Sequence, residues 1–349
     1  MSQLTRFIVL PAAVGALLGM MIILLQPGNG GKPGYAAAVA DAAPAVVNIY
    51  TTKLTRRGML CRIPTYRALC ERFPMDSQVQ NSLGSGVIVR ADGYVLTNEH
   101  VIREADEILV MFANNQTTIA NVIGTDPHTD LAVIKVPAEG LPVIPKMDGD
   151  TPQVGDVTLA IGNPFGLGHS VSQGIISAFS RSIITNSPYD DFIQTDAAIS
   201  PGNSGGALVD YRGRLLGINT LIFSQTGGSE GIGFAIPAQI ALDVLDQIIQ
   251  HGRVIRGWLG ASLAPHAAPD TPRGLRVTGV FPRGPAQQAG IREGDIVLSV
   301  NQVAADNAST ITEIIAGSQP GQEIQLEVMR ERQRFRATAI AGDLPDPSI

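Results

Sequence analysis

Apolar and polar positions divide this 349-residue chain into four stretches of different character. Residues 7–25 form an uncharged run of 19, which as a helix rises about 28 Å, close to the thickness of a bilayer core. A transmembrane helix is the expected element. Residues 26–34, Gln-Pro-Gly-Asn-Gly-Gly-Lys-Pro-Gly, show no periodicity and read as a flexible tether. A series of short apolar or alternating runs follows, bounded by Gly, Asn and Asp turns, as expected of β-strands. They lie at 45–50, 84–90, 94–97, 107–112, 131–134, 157–162, 171–177, 190–196, 215–219 and 231–236. The period then changes. Apolar residues at 240, 244, 245, 248 and 249 predict a helix opened by Pro237 and ended by Gly252.

The C-terminal region from 253 onward begins a new pattern. A short helix stopped by Gly290, a tight Gly294-Asp295 turn and an alternating strand at 296–300 are followed by a helix at 310–317 and a strand at 323–329. Arg330, Arg332, Arg334 and Arg336 alternate, which predicts one basic strand face, solvated rather than bound to lipid headgroups. The expected boundaries are an anchor and tether at 1–35, a first domain at 36–252, a second at 253–342 and a tail at 343–349.

Composition agrees with a mainly β protein: 44% hydrophobic and 16% charged residues, 38 glycines and few aromatics. The formal net charge of −6 excludes the basic footprint of a nucleic-acid binder. Arg6 precedes the apolar run, so the positive-inside rule leaves the N-terminus in the cytoplasm and the rest outside it. Ala36-Ala37-Ala38 is an A-x-A-like cleavage site for the competing signal-peptide reading. It lies well past the end of the apolar run, however, and the uncleaved anchor is the preferred reading. The two cysteines, Cys61 and Cys70, fall in a long insertion. Outside the cytoplasm a disulfide between them would close a loop of about ten residues, worth roughly 2–3 kcal/mol; two free thiols are the alternative. No further Cys or His is near them, and neither a metal nor a cofactor is expected.

Candidate chemistry centres on residues 196–208, Asp-Ala-Ala-Ile-Ser-Pro-Gly-Asn-Ser-Gly-Gly-Ala-Leu. Ser204 stands in a glycine-rich turn, where the amides of Gly202, Asn203 and Ser204 can converge on an oxyanion. A nucleophilic serine also needs a base and a carboxylate to orient that base. His100, in 94–102, and Asp130, opening the apolar run 131–134, supply both. Asp126 competes with Asp130, but an Asp-Pro turn accounts for it. His128, His169, His251 and His266 lie in polar, turn-like surroundings and read as structural or exposed.

The order of these three along the chain, His100, then Asp130, then Ser204, resembles chymotrypsin-fold proteases. More narrowly, Thr97-Asn-Glu-His-Val101, Thr129-Asp-Leu-Ala-Val133 and Gly202-Asn-Ser-Gly-Gly-Ala-Leu208 resemble the signature blocks of the HtrA family, and 284–301 resembles a PDZ domain. The resemblance implies a trypsin-like double β-barrel followed by an α+β PDZ domain, in a membrane-tethered periplasmic serine endoprotease. It implies His100 as general base, Asp130 as its orienting partner and Ser204 as nucleophile. In the single-PDZ, anchored branch of the family it further implies a homotrimer, with Tyr35 as a packing residue, and site-1 cleavage of an anti-sigma factor. Cleavage there follows capture of outer-membrane-protein C-termini by the loop Trp258-Leu259-Gly260-Ala261, and Arg181 matches an arginine that senses the PDZ domain. Trp258 departs from the tyrosine usual there. At the base of the specificity pocket, Ala198 with Ile199 beside it implies cleavage after small apolar residues. Two alternatives remain: a general protein-quality-control protease, and an inactive barrel serving as a PDZ scaffold.

Overall fold

Short strands bounded by glycine turns organise the protein around two β-barrels and a smaller sheet. The computed structural model describes residues 34–55, 78–163, 168–181, 191–200, 202–222, 231–267 and 272–345. The apolar run 7–25 and the pair Cys61 and Cys70 lie outside the described residues. Among the described residues no helix is long and apolar enough to cross a membrane.

Helix α1 (Ala36–Ala42) and a 3-10 turn, Ala43–Ala45, lead into the first barrel. Its strands are β1 (Val46–Thr55), β2 (Gln78–Ile88) and β3 (Tyr94–Thr97), then, after the four-residue helix α2 (Glu99–Ile102), β4 (Glu107–Met111), β5 (Thr117–Ile119), β6 (Asn121–Asp126) and β7 (Leu131–Lys135). The sheet order is β5-β4-β1-β2-β3-β7-β6. Its two ends, β5 and β6, are joined through Ala120 alone, so the sheet must curl round on itself. Ile49, Ile88, Leu96, Leu131 and Ile134 fill the interior, each fully buried.

The second barrel is closed, in the order β10-β13-β12-β11-β8-β9. It comprises β8 (Val157–Gly162), β9 (Ser170–Arg181), β10 (Asp191–Thr195), β11 (Ala207–Asp210), β12 (Leu215–Ile222) and β13 (Gly233–Pro237). Helix α3 (Ala238–His251) follows, with Pro237 as N-cap and Gly252 at φ 74° as C-cap. The Gly252 amide returns to the Ile248 carbonyl at 2.8 Å. The helix buries Ala241, Val244, Leu245 and Ile248, and each of the three larger side chains is worth about 1.5–3 kcal/mol against exposure. It crosses back to the first barrel, where Gly124 leaves room for it: a Cβ there would stand 2.7 Å from the Gly252 carbonyl.

The third unit contains β14 (Gly257–Trp258), β15 (Ala261–His266), β16 (Gly274–Val280), α4 (Pro285–Gln288), β17 (Ile296–Val300), β18 (Val303–Ala304), α5 (Ala308–Ala316), β19 (Glu323–Arg330), β20 (Gln333–Ile340) and β21 (Gly342–Asp343). The order β15-β16-β17-β19-β20 leaves β15 as an edge, and β14 pairs with β21 apart from that sheet. Helix α5 starts at Ala308 rather than 310, because the Asn307 side chain caps it. Asn307 Oδ1 accepts from the Ser309 amide at 2.8 Å. The arginine row is corrected. Glu331 and Arg332 take φ 49° and 67° and turn the chain between β19 and β20. Arg330 therefore belongs to β19, where it pairs with the buried Asp295 at 2.7 Å, and only Arg334 and Arg336 share a face of β20.

Candidate active site

The cleft between the barrels is held by Ser85, a residue that sequence reasoning passed over. Its amide donates to the Ser204 carbonyl at 2.8 Å and its hydroxyl to the Gly202 carbonyl at 2.7 Å, while the Asn163 amide donates to that hydroxyl at 3.0 Å. Gly205, at φ 82°, must be glycine. A Cβ there would lie 2.1 Å from the Ser85 carbonyl oxygen and 2.4 Å from Thr97 Oγ1. The sequence hinted at Ser85 only as a small residue between two glycines inside a strand.

His100 stands in the first turn of α2. Its Nδ1 lies 2.7 Å from Asp130 Oδ2, and its amide donates to Asp130 Oδ1 at 3.0 Å. Asp130 takes φ 54°, uncommon for any residue but glycine. Its carbonyl accepts from the Glu99 amide at 3.1 Å and from Asn98 Nδ2 at 2.9 Å. Thr220, on β12 and buried, donates its hydroxyl to Asp130 Oδ2 at 2.7 Å, and its carbonyl accepts from Ser204 Oγ at 3.1 Å. Thr220 thus links the carboxylate of the first barrel to the serine of the second. Nothing in its local sequence marked it, since the link exists only when the barrels meet. With Nδ1–H directed at Asp130, Nε2 is the nitrogen left to take a proton.

The turn around Ser204 narrows the expected oxyanion donors. The Asn203 amide donates to the Ser200 carbonyl at 2.9 Å, the Gly205 amide to Asn219 at 2.8 Å and the Gly206 amide to Asn203 at 2.9 Å. Asn203 is therefore committed elsewhere, and Gly202, at φ 96°, and Ser204 are the remaining pair. At the specificity segment Ala198 is exposed, and its carbonyl accepts from the Ser172 hydroxyl at 2.6 Å. Ile199 does not line the surface beside it. It is 1% exposed and packs into the second barrel's core.

Asp126, read as a plain turn residue, is buried and bonded from two directions. The Thr129 hydroxyl donates to it, and Arg256 meets it through two nitrogens, at 2.7 and 2.6 Å. Arg256 directly precedes β14, so this ion pair ties the start of the third unit to the loop carrying Asp130. Arg253 pairs with Asp343 beside it. In the loop after β14 the carbonyls of Leu259 and Gly260 accept from Ala286 and Phe281 at 2.7 and 2.9 Å, while their amides meet no backbone acceptor among the described residues. Ala261 begins the open edge β15. Between β15 and α5 the floor is apolar: Leu259, Ile311 and Ile315 are buried and Leu263 and Ala308 half-buried. The Trp258 ring meets Phe281 edge-on at 5.4 Å. Arg181 ends β9 opposite Asp191, and its side chain lies outside the described residues. Among the described residues no group of His, Cys, Asp and Glu is arranged to hold a metal.

Residues 84–218 match the family described as trypsin-like peptidase domain, and residues 246–329 match the PDZ domain. Fold and matches together define a trypsin-like serine endopeptidase that carries a PDZ domain. Serine endoprotease DegS of Haemophilus influenzae is 40% identical over 311 residues, covering 88% of this chain and 87% of that protein. A probable periplasmic serine endoprotease, DegP-like, of Halomonas elongata is 39% identical over 373 aligned residues, covering 99% of this chain and 78% of the relative. Among solved structures, HtrA-type protease AlgW with decapeptide has a TM-score of 0.80 at 43% identity, over 90% of this chain and 100% of that one. The chain belongs to the HtrA-type serine proteases, and within them to the type that DegS and AlgW represent.

Proposed function

We propose that the protein is a membrane-anchored periplasmic endoprotease whose PDZ domain switches it on when a free C-terminal peptide binds. His100 takes the proton of Ser204 through Nε2, Asp130 holds the imidazole through Nδ1, and Ser204 Oγ attacks the scissile carbonyl. The amides of Gly202 and Ser204 receive the developing oxyanion. The observation that carries this reading is the shared Thr220. Its hydroxyl bonds to the Asp130 carboxylate and its carbonyl to Ser204 Oγ, so one residue spans both halves of the triad. For attack, Ser204 Oγ has to exchange the Thr220 carbonyl for His100 Nε2.

An incoming peptide would extend the PDZ sheet at β15, its carboxylate on the Leu259 and Gly260 amides between Trp258 and Ala261 and its last side chain over the apolar floor. AlgW, solved with a decapeptide, supports this use of the groove. Arg181 is the proposed sensor, residues 7–25 the proposed inner-membrane span, a homotrimer with Tyr35 at its contacts the proposed assembly, and an anti-sigma factor's periplasmic domain the proposed substrate. DegP-like relatives favour a second reading, a protease of general protein quality control.

Cleavage of candidate periplasmic domains, with and without peptide, tests both readings. Peptides with a free apolar C-terminus should raise the rate about tenfold, a preference of about 1.4 kcal/mol for the active state. Amidating the carboxylate should remove the effect. Equal activation by the amidated peptide would overturn carboxylate capture, and broad cleavage of unfolded proteins without any peptide would favour quality control. A fluorophosphonate that leaves Ser204 unlabelled in the peptide-bound protein would leave only the scaffold reading.

A further inference from the structure

Asn98 breaks the local rule for its position. It precedes α2 with φ −81° and ψ 148°, which makes it the N-cap, where an asparagine side-chain oxygen ordinarily accepts from the amide two or three residues on. Here it makes no such bond. The His100 amide, two residues on, goes instead to Asp130 Oδ1 at 3.0 Å, and Asn98 turns its Nδ2 to the Asp130 carbonyl at 2.9 Å. The two residues have exchanged tasks. Asp130 caps the helix that belongs to Asn98, and Asn98 holds the backbone of Asp130.

The exchange has a local penalty. Asn98 is 0% exposed, and its Oδ1 is buried without a partner among the described residues, which opposes folding. The arrangement leaves Oδ1 without the cap bond that an N-cap asparagine ordinarily makes. Local rules broken in this way concentrate at functional sites. What is gained lies at Asp130, which holds a left-handed φ of 54°. Two donors fasten its carbonyl, the Glu99 amide at 3.1 Å and Asn98 Nδ2 at 2.9 Å.

We infer that Asn98 is a positioning residue for the proteolytic reaction: its side-chain amide fixes the left-handed backbone of Asp130 and so aims the carboxylate that holds His100 Nδ1. This rests on the proposed triad. The bland alternative is a buried asparagine that merely joins two loops.

The test uses the full chain carrying Asn98→Ser or Asn98→Ala, with Ser204→Ala and Asp130→Ala as controls. Serine caps helices well but is too short to reach the Asp130 carbonyl. Asn98→Ser should therefore keep its melting temperature at or above the native value while kcat on a peptide substrate falls about tenfold at unchanged KM. Asn98→Ala should show the same kcat with a lower melting temperature, since it loses the bond to the Asp130 carbonyl and, unlike serine, has no side chain able to cap in exchange. In proton NMR the low-field resonance of the His100 Nδ1–H···Asp130 bond should broaden or disappear in both variants. Rates are normalised to the fraction titrated by a fluorophosphonate, so partial unfolding does not count as loss of catalysis. A kcat per titrated site within about twofold of native, or an unchanged resonance, would overturn the inference. If Ser204→Ala and Asp130→Ala abolish turnover while Asn98→Ser does not alter it, only this inference fails; if Ser204→Ala retains turnover, the triad itself fails.

Discussion

Asp130 and Ser204 face the same cleft, and the two sides of it are built to opposite specifications. Every oxygen of Asp130 is bonded: Oδ1 to the His100 amide, Oδ2 to His100 Nδ1 and Thr220, and the carbonyl to Glu99 and Asn98. Ser204 is held firmly by its main chain, through Ser85 and its glycine neighbours, but among the described residues its hydroxyl bonds only to the Thr220 carbonyl. The proposed base is thus aimed in advance, whereas the proposed nucleophile rests one hydrogen bond away from readiness. Control of such an enzyme falls most naturally on the serine side. Moving Asp130 would break several bonds at once, and moving Ser204 Oγ breaks one.

The contrast is broken most severely at the hydroxyl itself. Ser204→Ala should lower turnover by about 10⁶ while leaving peptide binding to the PDZ domain intact. A cleavage assay beside a fluorescence-anisotropy titration would show both, and retained turnover in a clean preparation would remove Ser204 from the reaction.

An intermediate effect is expected from Arg256→Ala, which leaves the Asp126 carboxylate buried without its guanidinium behind the Asp130 loop. Losing one partner of such a buried pair destabilises by about 3–5 kcal/mol, and Asp126→Leu combined with Arg256→Met should recover most of it. Urea unfolding monitored by far-UV circular dichroism measures it, and an unchanged midpoint for the single variant would show that stability does not depend on this pair.

The smallest effect sharpens the comparison. Thr220→Val keeps the carbonyl that holds Ser204 but removes the hydroxyl that holds Asp130. It should lower kcat about tenfold at constant KM, the weight of one hydrogen bond to a charged group. A KM that rises instead would mean that Thr220 acts on substrate binding.

What could be read in the sequence followed from how far each feature reaches along the chain. The blocks around His100, Asp130 and Ser204 are local, and so were the turns and strands that carry them. The helix at 238–251 was legible because its buried stripe has helical spacing and Gly252 marks its end. Asp126 was misread because its partner Arg256 lies far along the chain, beyond both barrels. Thr220 and Ser85 escaped for the same reason, since each makes its bond to the opposite barrel only once the two barrels meet. The Arg330 row was misassigned because Glu331 and Arg332 make a positive-φ turn without glycine or asparagine to announce it. Ile199 adjoins the exposed Ala198 in sequence, and the alternation of the chain turns it into the second barrel's core.

The first strand of the PDZ unit, Gly257–Trp258, pairs with its last, Gly342–Asp343, and the Leu344 amide bonds back to the Arg256 carbonyl at 3.0 Å. The chain therefore enters and leaves the unit side by side. A module clasped at its own neck can be excised, duplicated in tandem or exchanged for another without rethreading either barrel. Genetic recombination can act on it as a cassette, varying the signal a protease answers to while the cutting machinery stays untouched.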